Sequence, residues 1–287
     1  MLIVGSVLCF TLLDTITKFT TQLYPVPVLI WARFMVQLLA MLVWLGPTMG
    51  KALFRTRRLP LQLVRALILL LSSFLFVSAL RVLPLADATA ITYSTPVLVI
   101  LLAVLFLDER LTRARLAFVI TGLAGMLLIV QPGSAVFKGA SLYAILAACC
   151  YAIYQILTRK LAGENPRVLL FYPAFMGALV TTALAPAFEW PAHMPWQHVA
   201  LIILGGLVGT MGHFLFILAF QHAPASALTP FTYMQLVWAT LLGWLIYGHF
   251  PNVYTLAGMA VIGASGLLIT LHERRRARYP MEAVTID

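Results

Sequence analysis

Residues 79–96 read ALRVLPLADATAITYSTP, and residues 219–236 read AFQHAPASALTPFTYMQL. The two stretches share a proline, a threonine and a Thr-Tyr pair at an ungapped offset of 140 residues. Extended to 79–130 against 219–270, the alignment has 15 identical positions of 52. At an offset of 141, Lys18 aligns with Arg159 and Phe34-Met35 aligns with Phe175-Met176. The chain therefore contains an internal repeat.

The composition around this repeat is that of a membrane protein. The chain has 287 residues, of which 62% are hydrophobic and only 10% are charged. A soluble domain is about 45–50% apolar and about 25% charged, so no soluble fold of this length hides so much apolar surface. The net charge of +10 does not indicate nucleic-acid binding, because the basic residues lie in short segments between apolar runs.

About ten of these runs approach the length of about 17–25 residues that a membrane-spanning helix needs. The first one lacks a basic segment before it and contains Asp14 and Lys18, so we expect a retained helix and not a cleaved signal peptide. The predicted spans are 2–21, 28–46, 62–80, 87–107, 115–131, 140–160, 168–187, 198–220, 226–247 and 253–271.

The basic residues predict the orientation of these spans. Fifteen of the 19 Lys and Arg residues fall on one side of the membrane. They lie in the C-terminal tail, or in or close to the loops that follow even-numbered spans. Cytoplasmic loops carry an excess of Lys and Arg. We therefore predict a multi-pass protein of the cytoplasmic (inner) membrane with both termini in the cytoplasm.

The repeat predicts how the two halves are related. Each copy holds five spans, and since five is odd, the second copy enters the membrane from the opposite side. The predicted units are a first five-helix repeat at 1–134, an inverted second repeat at 139–273, and a basic then polar tail at 274–287. Inverted repeats with a solute site between the halves are typical of secondary transporters.

The same residues carry a resemblance to a known family over nearly the whole chain. The first copy contains Lys18, Pro25-Val26-Pro27 and Arg33, then the segment 79–88, Pro96, Asp108-Glu109-Arg110-Leu111, Gly122 and Gly125. In these positions the chain resembles the EamA-type branch of the drug/metabolite transporter (DMT) superfamily. The second copy departs from the pattern, because Gly248-His249 replaces Asp108-Glu109 there.

This resemblance implies an all-α integral membrane protein with about ten helices in two inverted five-helix repeats around a central cavity. It also implies export of small metabolites, and the chain looks most like the YddG-type exporters of aromatic and other neutral amino acids. Export of another solute class, such as a drug, sugar or nucleoside, remains an alternative. The expected partners are a small-molecule solute and the lipid bilayer, without nucleic acid. The oligomeric state is not defined by the sequence, although one chain can form both halves of a pathway.

Polar side chains at helical spacing inside apolar segments predict the walls of that pathway, because polarity facing lipid is costly. In the first span Asp14 and Lys18 share a face with Thr11 and Thr15. The predicted pathway residues are Asp14, Lys18, Trp31, Arg33, Thr92, Tyr93, Tyr151, Tyr154, Gln155, His213, Thr232, Tyr233 and Gln235. The hinge candidates are Pro84, Pro96, Gly209, Pro224 and Pro230.

Each of these assignments has a structural alternative. Asp14 and Lys18 are spaced to form an ion pair that only closes one end of the bundle. The tyrosines suit the membrane interface, and Arg33 suits an anchor that reaches the headgroups. His213 lies near four glycines typical of close helix packing, where a packing role is the simpler interpretation.

An enzyme is the remaining alternative. The chain has no zinc, phosphate-loop or nucleotide motif, so we expect neither a metal nor a cofactor. The residues Gly263-Ala264-Ser265-Gly266 match the short motif around the nucleophile of rhomboid intramembrane proteases. Such a serine needs a histidine base within hydrogen-bond reach, and small-residue packing explains the stretch more simply. We predict no catalytic activity.

Overall fold

The structure is a computed structural model that describes residues 1–106, 112–131, 139–161, 163–222 and 231–278. In these residues the regular secondary structure is entirely helical, which confirms the predicted fold class. The α-helices are α1 (Leu2–Thr20), α2 (Val26–Met49), α3 (Leu59–Val82), α4 (Leu85–Thr92), α5 (Thr95–Phe106), α6 (Arg113–Val130), α7 (Ala140–Lys160), α8 (Pro166–Leu184), α9 (Trp196–His222), α10 (Met234–Tyr247) and α11 (Val253–Arg278).

These helices supply the membrane spans that composition predicts. Within the described residues, nine segments are long and apolar enough to cross a bilayer, and α10 is a shorter apolar helix. The α4–α5 pair counts as one of the nine. Large apolar side chains remain on the outer surface, among them Leu105, Leu245 and Leu268, which are 66–71% exposed. A soluble protein would bury such side chains, whereas lipid covers them here.

Helix ends differ from the sequence prediction at several places, among them Tyr233, which interrupts the ninth span predicted over 226–247. The fourth span, predicted as one helix over 87–107, is interrupted at Tyr93 and Ser94 between α4 and α5. The helix α11 continues to Arg278, whereas the tenth span was predicted to end at 271. A polar and basic sequence continues a helix readily once it leaves the bilayer, so hydrophobicity marks the end of the span and not the end of the helix.

The packing pairs helices from the first half of the chain with helices from the second half. The most extensive contacts between the halves are those of α1 with α9, α3 with α7, α6 with α11 and α2 with α8, and α4 also packs on α10. In the repeat, α1 corresponds to α7 and α3 corresponds to α9. Exchanging the two halves therefore turns the α1–α9 pair into the α7–α3 pair, and it leaves the other three pairs unchanged. Each half therefore buries its surface mainly against the other half.

Glycines on α9 permit the close approach of α1 and α2. A Cβ at Gly206 would lie 2.7 Å from a methyl of Val36, and one at Gly209 would lie 2.8 Å from Leu13. Gly212 faces Phe10 in the same way. These distances are shorter than side-chain carbons adopt, so the glycines are required by packing, as the sequence predicts.

Apolar side chains from α3, α4, α6, α7, α10 and α11, together with Leu83, form the largest buried cluster among the described residues. We call it the apolar layer; its members include Leu83, Leu85, Ile91, Ile129, Val130, Leu236 and Ile262. Tyr93 and Tyr233 pack against it. The two tyrosines thus lie where the apolar layer meets the polar centre of the bundle.

Candidate substrate site

Two interrupted spans supply polar groups at mid-depth. Pro96 lies in the first turn of α5 and has no N–H, so the carbonyl of Thr92 loses its helical donor. That carbonyl accepts instead from Thr95 Oγ1 at 2.7 Å. At the equivalent position of the second half, Tyr233 interrupts the helical run immediately before α10. Interrupted helices at a cavity are where transporters place solute-binding groups.

The hydroxyl of Tyr93 joins the two interrupted spans. Tyr93 Oη donates to the carbonyl of Thr232 at 2.7 Å and lies 3.0 Å from Gln235 Oε1. Gln235 Nε2 in turn donates to Asp14 Oδ2 at 3.3 Å. The rings of Tyr93 and Tyr233 are in contact, with centroids 5.5 Å apart. Five residues predicted from sequence are thereby brought together from three spans.

Arg33 faces this group from α2. Its guanidinium interacts electrostatically with Asp14, Tyr151 and His213. Within the described part of the chain, the half-buried guanidinium has no hydrogen-bond acceptor. Asp14 is 7% exposed and accepts a single long hydrogen bond from the Gln235 amide. The centre of the bundle therefore holds a carboxyl group and a guanidinium group whose hydrogen-bonding capacity is largely unused among the described residues.

Tyrosines of α7 form one wall of this centre. Tyr151 interacts electrostatically with Arg33 and Tyr93, yet 39% of its surface is exposed. A side chain that is central and also exposed lines an opening in the bundle, so the membrane-interface alternative does not fit it. Tyr154 stacks on Tyr151 with ring centroids 5.6 Å apart and an interplanar angle of 18°. The adjacent Gln155 is half-buried and has no hydrogen bond to any other described residue.

Arg65 continues this wall toward the basic loops, and sequence reasoning assigned it to topology alone. It is fully buried and donates to Gln62 Oε1 at 2.9 Å, to Thr158 Oγ1 at 3.2 Å and to the carbonyl of Leu169. It also donates to Tyr154 Oη at 3.4 Å and lies over that ring, 5.2 Å from its centroid. These contacts join α3, α7 and α8. The spacing of Gln62 from Arg65 and of Tyr154 from Thr158 was the sequence signal that could have found it.

Other predicted pathway residues have structural contacts away from this centre. Lys18 Nζ donates to the carbonyls of Leu80 and Leu83, each at 2.7 Å. The acceptors lie at the C-terminal end of α3, where carbonyls lack helical donors. Trp31 Nε1 donates to Thr182 Oγ1 at 3.0 Å, and Thr92 Oγ1 donates to Thr89 within its own helix.

The contacts of His213 fit both a packing role and a position on the pathway. Its ring packs edge-on against Phe10, with centroids 4.8 Å apart, as a packing residue does. It also lies within electrostatic range of Arg33. From α9, His213 therefore borders the polar residues at the centre of the bundle, which we call the central group: Asp14, Arg33, Tyr93, Tyr233 and Gln235.

The hinge candidates have distinct positions. Pro84 precedes α4 directly, and Pro96 lies in the first turn of α5, so they flank α4 and the interruption at Tyr93 that follows it. Gly209 is accounted for by its packing on Leu13. The candidates Pro224 and Pro230 lie outside the described residues.

The serine of the protease-like motif has a helical partner. Ser265 Oγ donates to the carbonyl of Ile262 at 3.0 Å and is 8% exposed. Its neighbour Gly266 leaves room for the ring of Tyr233, which a Cβ at this position would overlap. Packing therefore explains Gly266, and Ser265 bonds within its own helix, whereas Gly263 has no neighbour within 4 Å.

Comparison with known proteins identifies the class of molecule that this architecture represents. Residues 1–131 and 138–271 each match the EamA-like transporter family, so the chain belongs to that family and is a multi-pass membrane transporter. One solved crystal structure covers 94% of this chain and 98% of its own, with a TM-score of 0.64 and 22% identity, which supports the fold.

Three curated relatives show the range within that family. An S-adenosylmethionine uptake transporter of Rickettsia bellii is 30% identical, covering 79% of this chain and 77% of its own length. A riboflavin transporter of Rhizobium johnstonii is 32% identical, covering 81% and 77%. A pseudopaline exporter of Pseudomonas aeruginosa is 28% identical, covering 88% and 89%. These relatives differ in substrate and in direction, so family membership alone does not assign an amino-acid substrate.

Proposed function

We propose that the chain transports small zwitterionic metabolites, of which aromatic and other neutral amino acids are the simplest. One observation carries the proposal: Arg33 lies beside Asp14 at the centre of the bundle without a hydrogen-bond acceptor among the described residues. A guanidinium inside a membrane protein is costly and marks a solute pathway or a binding site.

The charges of the pair match those of an amino acid. The planar guanidinium of Arg33 suits a carboxylate, which it can bind through two parallel hydrogen bonds. Asp14 suits the ammonium group, since its carboxylate holds only the amide of Gln235. A zwitterion supplies a group of opposite charge to each member of the pair, whereas a neutral sugar supplies neither.

The tyrosines extend the site toward the solute's side chain. Tyr93 and Tyr233 are in ring contact, and Tyr151 presents an exposed face beside Arg33. Aromatic rings stack on such faces or meet them edge-on. Phenylalanine, tyrosine and tryptophan are therefore the preferred solutes in this proposal.

Alternating access between two inverted halves, 1–134 and 139–273, is the proposed mechanism. It is supported by packing that keeps its pattern when the halves are exchanged, and by interrupted spans at equivalent positions. In this proposal the protein spans the inner membrane. Its cytoplasmic side carries the Lys- and Arg-rich loops, both termini and the tail 274–287. Export is the proposed direction, and the pseudopaline exporter is the relative that supports it.

S-adenosylmethionine is a second candidate, favoured by the Rickettsia bellii relative. It carries the same amino-acid end together with an adenine ring, so both parts of the site could bind it. Its sulfonium adds one positive charge, for which the described residues of the central group offer no second anion. Competition between the two solutes separates the candidates.

Counterflow in proteoliposomes tests the proposal. Vesicles are preloaded with unlabelled phenylalanine, and entry of labelled phenylalanine is compared with entry into protein-free vesicles. Protein-dependent accumulation that excess external S-adenosylmethionine does not reduce supports the amino-acid assignment. Accumulation only when the vesicles are loaded with S-adenosylmethionine and given the labelled form would replace it.

A further inference from the structure

Arg65 is a fully buried cation whose described hydrogen-bond acceptors are all neutral. They are the amide oxygen of Gln62, the hydroxyls of Tyr154 and Thr158, and the carbonyl of Leu169. No carboxylate pairs with Arg65 among the described residues. A guanidinium within a membrane-spanning helix is costly, and in such a position it marks a solute or ion pathway. The positive charge of Arg65 is therefore uncompensated within the described part of the chain.

Two N–H groups at this position have no acceptor among the described residues. Nε of Arg65 and Nε2 of Gln62 are both buried and make no hydrogen bond. The two side chains lie one helical turn apart on α3 and contact each other, since Arg65 Nη2 donates to Gln62 Oε1 at 2.9 Å. Buried polar groups in proteins are almost always hydrogen-bonded. Two adjacent donors without an acceptor, beside an uncompensated cation, fit an anionic ligand.

The second copy of the repeat has no arginine at this position. Offsets of 140 and 141 residues place Gly205 and Gly206 of α9 opposite Arg65 of α3. Both glycines line a cavity of 20 Å³, which has room for about one water molecule. The pairing of α9 with α1 therefore forms without an arginine, although it corresponds to the pairing of α3 with α7. Packing alone does not account for Arg65.

Aromatic rings connect Arg65 with the central group. The Arg65 guanidinium lies over the ring of Tyr154, which stacks on the ring of Tyr151. Tyr151 interacts electrostatically with Arg33 and has an exposed face. A line of rings therefore joins the two guanidinium groups, along which a solute with an aromatic body can pass.

We propose that Arg65 and Gln62 form a second solute site, near the Lys- and Arg-rich loops, that binds the carboxylate of a solute with an aromatic or apolar body. The inference deepens the proposed function and rests on it for the identity of the solute. Nε and Nη2 form one edge of the guanidinium, which matches the two oxygens of a carboxylate, and Gln62 Nε2 offers a third donor. Both side chains are fully buried in this structure, so binding requires α7 and α8 to move away from Arg65, as alternating access demands.

The charges around this second site favour an anion over a zwitterion. Arg58 Nη1 donates to the carbonyl of Lys160 at 3.4 Å, which brings two basic residues together where α3 begins and α7 ends. Glu164, the acidic residue of the α7–α8 loop, accepts from the backbone N–H of Arg57. A solute must also displace neutral acceptors from Arg65, so its affinity here is lower than at the central group.

A cysteine at position 158 reports on the second site. Thr158 is half-buried, and its hydroxyl accepts from Arg65 and donates to the carbonyl of Tyr154. Thr240→Cys is the matched control, because the half-buried Thr240 also donates to a carbonyl one turn earlier and its described contacts include no basic residue. Both variants are labelled in detergent, in a background that replaces the native cysteines by alanine: Cys9, Cys149 and Cys150.

The charge of the labelling reagent tests the role of Arg65. The reagents are 2-sulfonatoethyl methanethiosulfonate, an anion, and 2-(trimethylammonio)ethyl methanethiosulfonate, a cation. We expect Arg65→Gln to lower the ratio of the anion's rate to the cation's rate at Thr158→Cys by about tenfold, and to leave the ratio at Thr240→Cys unchanged. An unchanged ratio at Thr158→Cys would overturn the proposal.

Protection by solutes tests the ligand class. At ten times its Kd, a bound solute slows labelling of Thr158→Cys about tenfold. Phenylalanine and 3-phenylpropanoate are expected to protect, with 3-phenylpropanoate at the lower concentration, whereas phenethylamine, which lacks the carboxylate, is not. Arg65→Lys keeps the charge but loses the planar fork, so we expect about a threefold higher half-protecting concentration; this variant serves alone if Arg65→Gln does not fold. Equal protection by all three solutes, or by none, would contradict the second site.

An Arg33→Gln background separates the second site from the central group. Protection of Thr158→Cys that persists in this background supports a separate site. Protection that disappears there would assign the effect to closure driven by the central group and would overturn the second site. Labelling requires no transport, so protection without counterflow would contradict the transport proposal alone, and counterflow without protection would contradict the second site alone.

Discussion

Removing the hydroxyl of Tyr93 tests whether the bridge between the two interrupted spans serves the solute or only the fold. Tyr93→Phe keeps the ring against Tyr233 and removes the single O–H donor, which bonds to the Thr232 carbonyl at 2.7 Å and lies 3.0 Å from Gln235 Oε1. Gln235 then has no tyrosine to hold its amide toward Asp14. We expect both the folded state and the solute site to be weakened.

The expected magnitude follows from the one hydrogen-bond donor that this substitution removes. A net hydrogen bond contributes about 0.5–1.5 kcal/mol, and bonds between membrane helices average about 0.6 kcal/mol. The destabilisation at Tyr93, including the acceptors left without a donor, is therefore about 1–2 kcal/mol. If displacement of Gln235 and Asp14 weakens solute binding by the same free energy, the affinity for the solute falls about five- to thirtyfold.

Tyr24→Phe is the matched control for this change. Tyr24 Oη pairs with His198 Nδ1 at 2.6 Å, and neither residue belongs to the central group. Thermal unfolding in detergent and the half-saturating concentration in counterflow are measured for both variants. We expect similar losses of stability, with a raised half-saturating concentration only for Tyr93→Phe. Equal half-saturating concentrations in the two variants would refute the reasoning.

Three further substitutions have defined outcomes. Gly266→Ala places a methyl where the ring of Tyr233 lies, so we expect impaired counterflow, whereas Gly263→Ala, with no atom within 4 Å, should transport normally. Arg65→Met leaves several buried acceptors without a donor and should lower the free energy of unfolding by about 2–4 kcal/mol, measured by denaturation in detergent; an unchanged stability would contradict this. Ser265→Ala should change stability by less than about 0.5 kcal/mol and leave counterflow intact, and loss of all activity would instead support a catalytic serine.

The fold was predictable because the length of each apolar segment, and the distribution of Lys and Arg between segments, do not depend on the contacts of any single residue. The predicted all-helical membrane class is confirmed by the structure, and the predicted family is confirmed by two matches along the chain. Tyr93 and Tyr233 were also recognisable, because the repeat placed them at equivalent positions. The interruption at Tyr93 was only partly predictable: Pro96 explains the lost donor, but where the helix breaks depends on local packing.

The partners of individual polar residues were not predictable. Helical spacing placed Asp14 and Lys18 on one face, yet Lys18 donates to carbonyls of α3, and Asp14 is paired through Gln235 of α10. Spacing defines a face but does not define which helix packs against it. Arg65 shows the same limit, because its charge resembles a topology signal and only the packing of α7 and α8 buries it.

Binding of labelled phenylalanine to the purified protein tests the central role of Arg33 most directly. Wild-type protein, Arg33→Gln and Arg81→Gln are compared at equilibrium, with Arg81 as an exposed arginine outside the site. We predict saturable binding to wild type and Arg81→Gln, and at least a tenfold loss of affinity, about 1.4 kcal/mol, in folded Arg33→Gln. Unchanged binding by folded Arg33→Gln would contradict the assignment of the central group as the solute site.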